Sequence, residues 1–125
     1  MKIEIDGDPL FLQRPQNGKH GFYDPQFIAK KNFAHIVKEK YKGKPIDEEV
    51  SLDLAFYLKM AESWSKKKKE RLNMQPHTGK KDLDNAIKFI LDALNGVVWL
   101  DDSIIFEIHA TKHWAYEGKT VIEVL

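Results

Sequence analysis

Val50–Met60, VSLDLAFYLKM, restricts the possible folds more than any other stretch of this chain. Val, Leu, Leu, Phe, Leu and Met take the even positions, and Ser, Asp, Ala, Tyr and Lys the odd ones. Side chains on a strand alternate between faces, so this is a strand with one buried face and one facing water.

Other segments fill in that scheme. MKIEI alternates and reads as a first strand, and Asp6–Pro25, rich in proline and glycine, reads as an ordered loop with short extended pieces. Asp24–Pro25 reads as an N-cap with proline at the first helical position. The helix behind it carries Ala29, Phe33, Ile36 and Val37 on one stripe, with the Lys40 stem at its end, and stops near Lys42–Gly43. A short charged helix opened by a serine is predicted within Ser63–Leu72. A second main helix carries Leu83, Ile87, Ile90, Leu91 and Leu94 and stops at Asn95–Gly96. SIIFEIHATKHW reads as a strand with Phe106, Ile108 and Ala110 on one face and Ile105 on the other. AYEGK turns, and TVIEVL returns as a hairpin strand. The expected fold is α+β: one compact domain over 1–125, with a mixed or antiparallel sheet, two main helices and a short third.

The 125 residues include no cysteine, which removes disulfides, thiolate catalysis and zinc–cysteine sites. No stretch approaches the ~18 apolar residues of a membrane helix, and MKIEIDGDPL has no signal-peptide core, so a soluble, cytoplasmic protein is expected. Neither a GxGxxG nor a P-loop motif is present. The net charge of +1 hides two blocks: Ser63–Lys81 has seven Lys/Arg and one acid, and Asp82–Ala110 has six acids and one base, Lys88. That polarity suits a polyanion held by cations beside metal-binding acids. On charge counts alone, a solvated lysine face beside surface carboxylates explains it better.

The acidic block is ordered around one helix, in HTGKKDLDNAIKFILDALNGVVWLDD. Asp82 precedes the helix and Asp84 lies in its first turn, where the helix dipole favours negative charge. An N-cap role accounts for one of them, not for both, and not for Asp101–Asp102. Asp84, Lys88 and Asp92 follow at spacings of four, so Lys88 is either an intrahelical ion-pair partner or a cation one turn from a site. GVVWLDD is long enough to run back along a helix of roughly 20 Å, anchored by Trp99 and Leu100, and to return Asp101 and Asp102 to its start. Converging carboxylates need a counter-charge, and a hard dication such as Mg²⁺ fits oxygen ligands. Such an ion activates water and polarises a phosphodiester.

KKDLDNAIKFILDALNGVVWLDD resembles the signature of the RusA family of Holliday-junction resolvases. It has a basic residue, DLDN, a lysine four after the second aspartate, DAL, an aromatic residue and a closing DD. Weaker similarity covers QRPQ, FYDPQ and ESWSKKKKERLNMQPHT. The resemblance implies a homodimer that binds four-way DNA junctions and nicks two opposing strands, with Mg²⁺ or Mn²⁺ as cofactor, in DNA recombination and repair. Family habit adds a phage or prophage origin. Asp82, Asp84 and Asp102 match the metal-binding catalytic carboxylates, with Asp101 accessory. Lys88 matches the family's lysine, Lys80 and Lys81 the basic residues beside the site, and Asn85 the motif's asparagine. Arg14 is the one arginine in the front loop that matches a basic DNA contact. The two-lysine run before DLDN is thinner than the arginine-rich form of some members, which bears on junction selectivity.

Lys66, Lys67 and Lys69 are candidate phosphate contacts on the short helix, although four adjacent lysines point to all its sides. Trp64 reads as a core anchor, His77 as a polar loop residue or a phosphate contact, and Tyr23 as packing or DNA contact. His109 and His113 share a strand face but lie about 13 Å apart, too far to hold one metal. Two other functions stay open: a metal nuclease for flaps or other branched DNA, and a non-catalytic nucleic-acid-binding domain whose acids are helix caps and turn residues.

Overall fold

The computed structural model describes residues 1–13, 16–18 and 21–125. In chain order the elements are β1 (Lys2–Asp6), β2 (Gln16–Gly18), β3 (Gly21–Tyr23), α1 (Phe27–Lys40), β4 (Val50–Lys59), α2 (Lys66–Leu72) and α3 (Leu83–Leu94). A 3₁₀ turn (Asp102–Ile104), β5 (Ile105–Ala115) and β6 (Lys119–Val124) complete it. Four strands form one sheet in the order β1-β6-β4-β5, and β2 and β3 pair separately. The fold is a single α+β domain.

The alternating segment becomes the centre of the sheet. β4 runs antiparallel to β6 and parallel to β5. Val50, Leu52, Leu54 and Phe56 are fully buried beneath α1 and α3, whose Phe33 and Phe89 rings meet edge to face at 5.6 Å. The hairpin expected between the last two strands is therefore absent. β4 lies between β5 and β6, because its apolar face is worth most at the middle of the sheet. The Tyr116–Gly118 turn spans two strand spacings, roughly 10 Å. Gly118 makes that crossing possible: a Cβ there would lie 2.7 Å from the Asp8 Cα.

Three local expectations shift. α1 begins after Gln26, two residues beyond the predicted cap, because Asp24 spends its carboxylate on the Gln26 N–H (2.9 Å) and on Lys30 (2.7 Å). The buried face of α3 centres on Ala86, Phe89, Ile90, Ala93 and Leu94, while Leu83, Ile87 and Leu91 flank it half-buried. In β5 a register break opposite Val50–Ser51 inserts one extra residue. Ile105, Ile108 and Ala110 all pack on the core, and Phe106 is expelled to 68% exposure.

Parallel pairing of β4 and β5 demands a crossover, here α2, a loop and α3. α3 ends in a turn centred on Gly96 (φ +76°), with the Gly96 N–H donating to the Trp99 carbonyl at 2.7 Å. Trp99 is fully buried, and its indole N–H donates to the Asn95 Oδ1 at 3.1 Å. Ile46 ties this turn to the start of β4, donating to Val98 and accepting from Leu100. Asn95→Ala should leave a buried indole N–H unpaired and cost about 1–3 kcal/mol in urea unfolding. Unchanged stability would mean that Asn95 is not what holds the Trp99 turn.

Candidate active site

DLDN opens α3. Asp82 is its N-cap residue by backbone position, yet its side chain makes no capping hydrogen bond. Among the described residues no hydrogen bond or ion pair engages the exposed Asp82 carboxylate. Asp84 follows in the first turn and faces Lys88 Nζ at 3.6 Å, with both side chains more than half exposed. An ion pair so exposed is weak, so either partner is available to a ligand. The capping role that would have made these acids structural is thus not being performed.

The surroundings of DLDN are held from two directions. From the front loop, the Leu12 N–H donates to the Asn85 carbonyl at 2.9 Å. Buried Gln26 fixes that loop by accepting from the Gln13 N–H and donating to the Phe11 carbonyl. Lys81 Nζ lies 5.6 Å from the centre of the Phe11 ring. From the sheet, Met74–His77 runs antiparallel to the end of β5, with the His77 N–H on the Lys112 carbonyl at 3.0 Å. Lys112 Nζ donates to the Gly79 carbonyl at 3.3 Å and also to the Lys81 carbonyl.

His77, expected as a polar loop residue, is only 6% exposed. Its ring lies 4.0 Å from that of Trp114, and Nδ1 accepts the Gly79 N–H at 3.3 Å. Burial, and secondarily the charge of Lys112, hold its pKa below the ordinary imidazole value, so the ring is neutral near pH 7. Trp114 in turn meets Trp64 edge-on at 4.9 Å, and the Lys68 ammonium sits 3.9 Å above the Trp64 ring. Trp64 is therefore a half-buried packing residue on Trp114, outside the main core in which it was expected as an anchor. Through this ladder the lysine helix α2 joins the end of the molecule that carries DLDN. Lys66, Lys67, Lys80 and Lys81 are exposed there and Lys69 is half-buried, while Arg14 lies outside the described residues. His113 stacks on Tyr57 at 5.9 Å rather than meeting His109.

The second acidic pair does not come back to the first. The chain turns at Gly96–Trp99 beside the end of α3 and goes directly into β5. Lys112, beside the start of α3, is seven residues along β5 from Ile105, roughly 23 Å at strand rise. Asp101–Asp102 therefore stays at the far end of the helix. Among the described residues no three His, Asp or Glu side chains are grouped to hold a metal ion. The reason is topological: a helix linking parallel strands runs opposite to them, so its two flanks lie at opposite ends of the strands. Asp101 caps the 3₁₀ turn, accepting the Ser103 N–H at 3.3 Å. Hydrogen bonding to Ser103 holds its pKa below the usual carboxylate value. Among the described residues the half-buried Asp102 carboxylate has no such partner.

Sequence reasoning passed over Lys112. Its signal is a phase violation: Ile108, Ala110, Lys112 and Trp114 share one face of β5, placing a cation where an apolar side chain belongs.

Comparison with known proteins places this arrangement. The chain is 31% identical over 135 residues to Bacillus subtilis (strain 168) uncharacterized protein YqaN, covering 99% of this chain and 94% of that protein. It is 29% identical over 103 residues to the crossover junction endodeoxyribonuclease RusA of Aquifex aeolicus (strain VF5), covering 79% of this chain and 66% of that enzyme. No helix among the described residues is long and apolar enough to cross a membrane. The model of the family "Endodeoxyribonuclease RusA" matches residues 7–125, DLDN and the closing aspartates included, and the chain belongs to that family of endodeoxyribonucleases.

Proposed function

We propose that this protein resolves Holliday junctions, cutting two opposing strands of a four-way DNA junction as a homodimer in recombination and repair. Asp82, Asp84 and Asp102 would hold Mg²⁺ or Mn²⁺, with Asp101 accessory. The observation that carries the reading is the Asp82 carboxylate: it sits at a helix N-cap with no capping bond, directly after the exposed Lys80 and Lys81, in a chain of an endodeoxyribonuclease family. Support also comes from the Aquifex aeolicus relative, whose name specifies crossover junctions.

The donor chemistry fits a hard dication: carboxylate oxygens, with no thiol in the chain. Such an ion, when bound, acidifies a water and offsets charge on the phosphodiester under attack. The rest of the work falls to the chain. Lys80, Lys81 and Asn85 hold the strand beside the motif, and the first N–H groups of α3 face it as well. Lys88, released from its weak contact with Asp84, binds a non-bridging phosphate oxygen and stabilises the charge that builds there. Lys66, Lys67 and Lys69 of α2 hold a neighbouring arm through phosphate contacts that carry no sequence information.

The separation of the acidic pairs suggests what the proposed dimer is for. A site that uses Asp102 together with Asp82 and Asp84 draws Asp102 from a second copy, and a two-fold axis then makes two such sites, one per cut strand. Leu100 (61% exposed) and Phe106 (68% exposed) flank Asp101–Asp102 and supply apolar surface for that contact.

Purified protein should nick synthetic four-way junctions in pairs with Mg²⁺, and lose that cleavage in EDTA. Asp82→Asn should bind the junction but leave it uncut. Cleavage surviving the chelator would overturn the metal role, faster cutting of flaps would move the substrate, and no cutting of any branched DNA would leave a binding module.

Mixing two inactive variants tests the shared site. Asp82→Asn with Asp102→Asn should regain single nicks, because one of the two sites in a mixed dimer is intact. If each chain builds its own site, the mixture stays inactive.

Double substitution of Lys66 and Lys67 by alanine should lower the slope of log Kd against log salt by about 2 for junction binding, roughly 1 per lost phosphate contact. An unchanged slope would place α2 away from DNA.

A further inference from the structure

The Gly79–Lys81 segment leads directly into Asp82 and has little hydrophobic anchoring of its own. Thr78, Gly79, Lys80 and Lys81 are all exposed. What fixes it is polar and comes from two residues. Buried His77 accepts the Gly79 N–H on Nδ1 at 3.3 Å, which puts the ring proton on Nε2. Lys112 Nζ reaches across from β5 to the Gly79 carbonyl at 3.3 Å and to the Lys81 carbonyl. The Lys81 N–H folds back on the Gly79 carbonyl at 2.9 Å. Gly79 also lies against the imidazole: a Cβ there would sit 3.1 Å from His77 Cε1.

These bonds use the segment's backbone groups, not its side chains. Lys112 satisfies two carbonyls next to the motif while sitting on the core-facing side of β5, where its stem is shielded. His77 is fixed independently, by its backbone bond to β5 and its ring contact with Trp114. Neither residue belongs to the proposed metal ligands or phosphate contacts.

We propose that His77 and Lys112 are positioning residues which clamp Gly79–Lys81 onto the end of β5 and so set where Asp82, Lys80 and Lys81 stand relative to the phosphate being cut. The proposal rests on the nuclease reading of DLDN. A one-ångström displacement of a catalytic group is enough to cost cleavage, whereas phosphate binding by exposed lysines tolerates it. The clamp therefore acts on kcat more than on junction affinity.

Lys112→Met keeps the aliphatic stem and removes the donor, and Lys112→Arg restores a donor. Lys112→Met should lower kcat at saturating junction and Mg²⁺ by about 10- to 100-fold, the usual effect of losing a supporting contact. Its junction Kd should stay within about twofold of wild type, and Lys112→Arg should recover most of the loss. Hydrogen exchange at the Gly79 and Lys81 amides should accelerate in the methionine variant. Should that variant fail to fold, His77→Phe tests the same point by keeping a ring on Trp114 and withdrawing the Nδ1 acceptor. Wild-type kcat in a folded Lys112→Met or His77→Phe protein overturns the proposal. So does a loss matched by the fraction unfolded, which marks a purely structural role. If wild-type protein cuts no branched DNA, the nuclease reading fails instead, and amide exchange alone then decides the clamp: acceleration supports it and unchanged exchange rejects it.

Discussion

The parallel pairing of β4 with β5 is the constraint on which the remaining structure depends. β4 buries one whole face and so takes the middle of the sheet, with β6 on one side and β5 on the other. The chain must then travel from Lys59 back to the beginning of the sheet before β5 starts, and it does so through α2 and α3. That return path carries every candidate residue from Lys66 to Asp102. It puts the lysine helix, the His77 loop and DLDN at the end where β4 finishes, and Asp101–Asp102 at the end where β5 begins. An antiparallel β4–β5 pair would have needed no helix there and would have left the two acidic pairs without a scaffold.

The same topology divides the charge. The open face of the sheet carries Glu4, Asp6, Asp53, Glu107 and Glu123 against Lys2, Lys59 and Lys119, and Asp53 lies directly opposite Glu123. That face, with a concave region of about 450 Å³, repels a polyanion. Lysines instead gather around the start of α3. A net charge of +1 therefore understates how strongly the molecule is oriented toward DNA.

What was readable in the sequence was whatever depends on local periodicity. The alternation of Val50–Met60 identifies β4, the apolar stripe and Asn95–Gly96 give α3 and its end, and the serine cap of α2 is present as Ser65 accepting the Lys68 N–H at 3.1 Å. What escaped depends on pairing between distant segments. TVIEVL looks like the partner of the strand just before it, and only the burial demand of β4 separates them. The extra residue at Phe106 reverses the phase of β5 with no Gly or Pro to announce it. DLDN stood out in the sequence as a candidate site, whereas its distance from Asp101–Asp102 did not, because residue spacing around a helix says nothing about the direction of the strand that follows.

The two aspartates of DLDN show how the fold carries its acidic residues one pair at a time. An isolated cluster of carboxylates is costly through mutual repulsion, and a fold that forced three or four together in one chain would carry that cost in every unliganded molecule. Here one pair rests at a helix N-terminus, where the partial positive charge of the helix and Lys88 offset it. The other pair opens the 3₁₀ turn beyond the opposite end of α3, with Asp101 engaged by Ser103. Each pair is tolerable alone, and in the proposed dimer repulsion would arise only where a second copy brought the two pairs together. A dication would gain most by binding at such a contact, so the proposed assembly and metal binding would favour each other by linkage. On the proposed reading, a lone chain carries the chemistry in two separate halves, and the concentration of dimer, rather than of protein, would set the cutting activity.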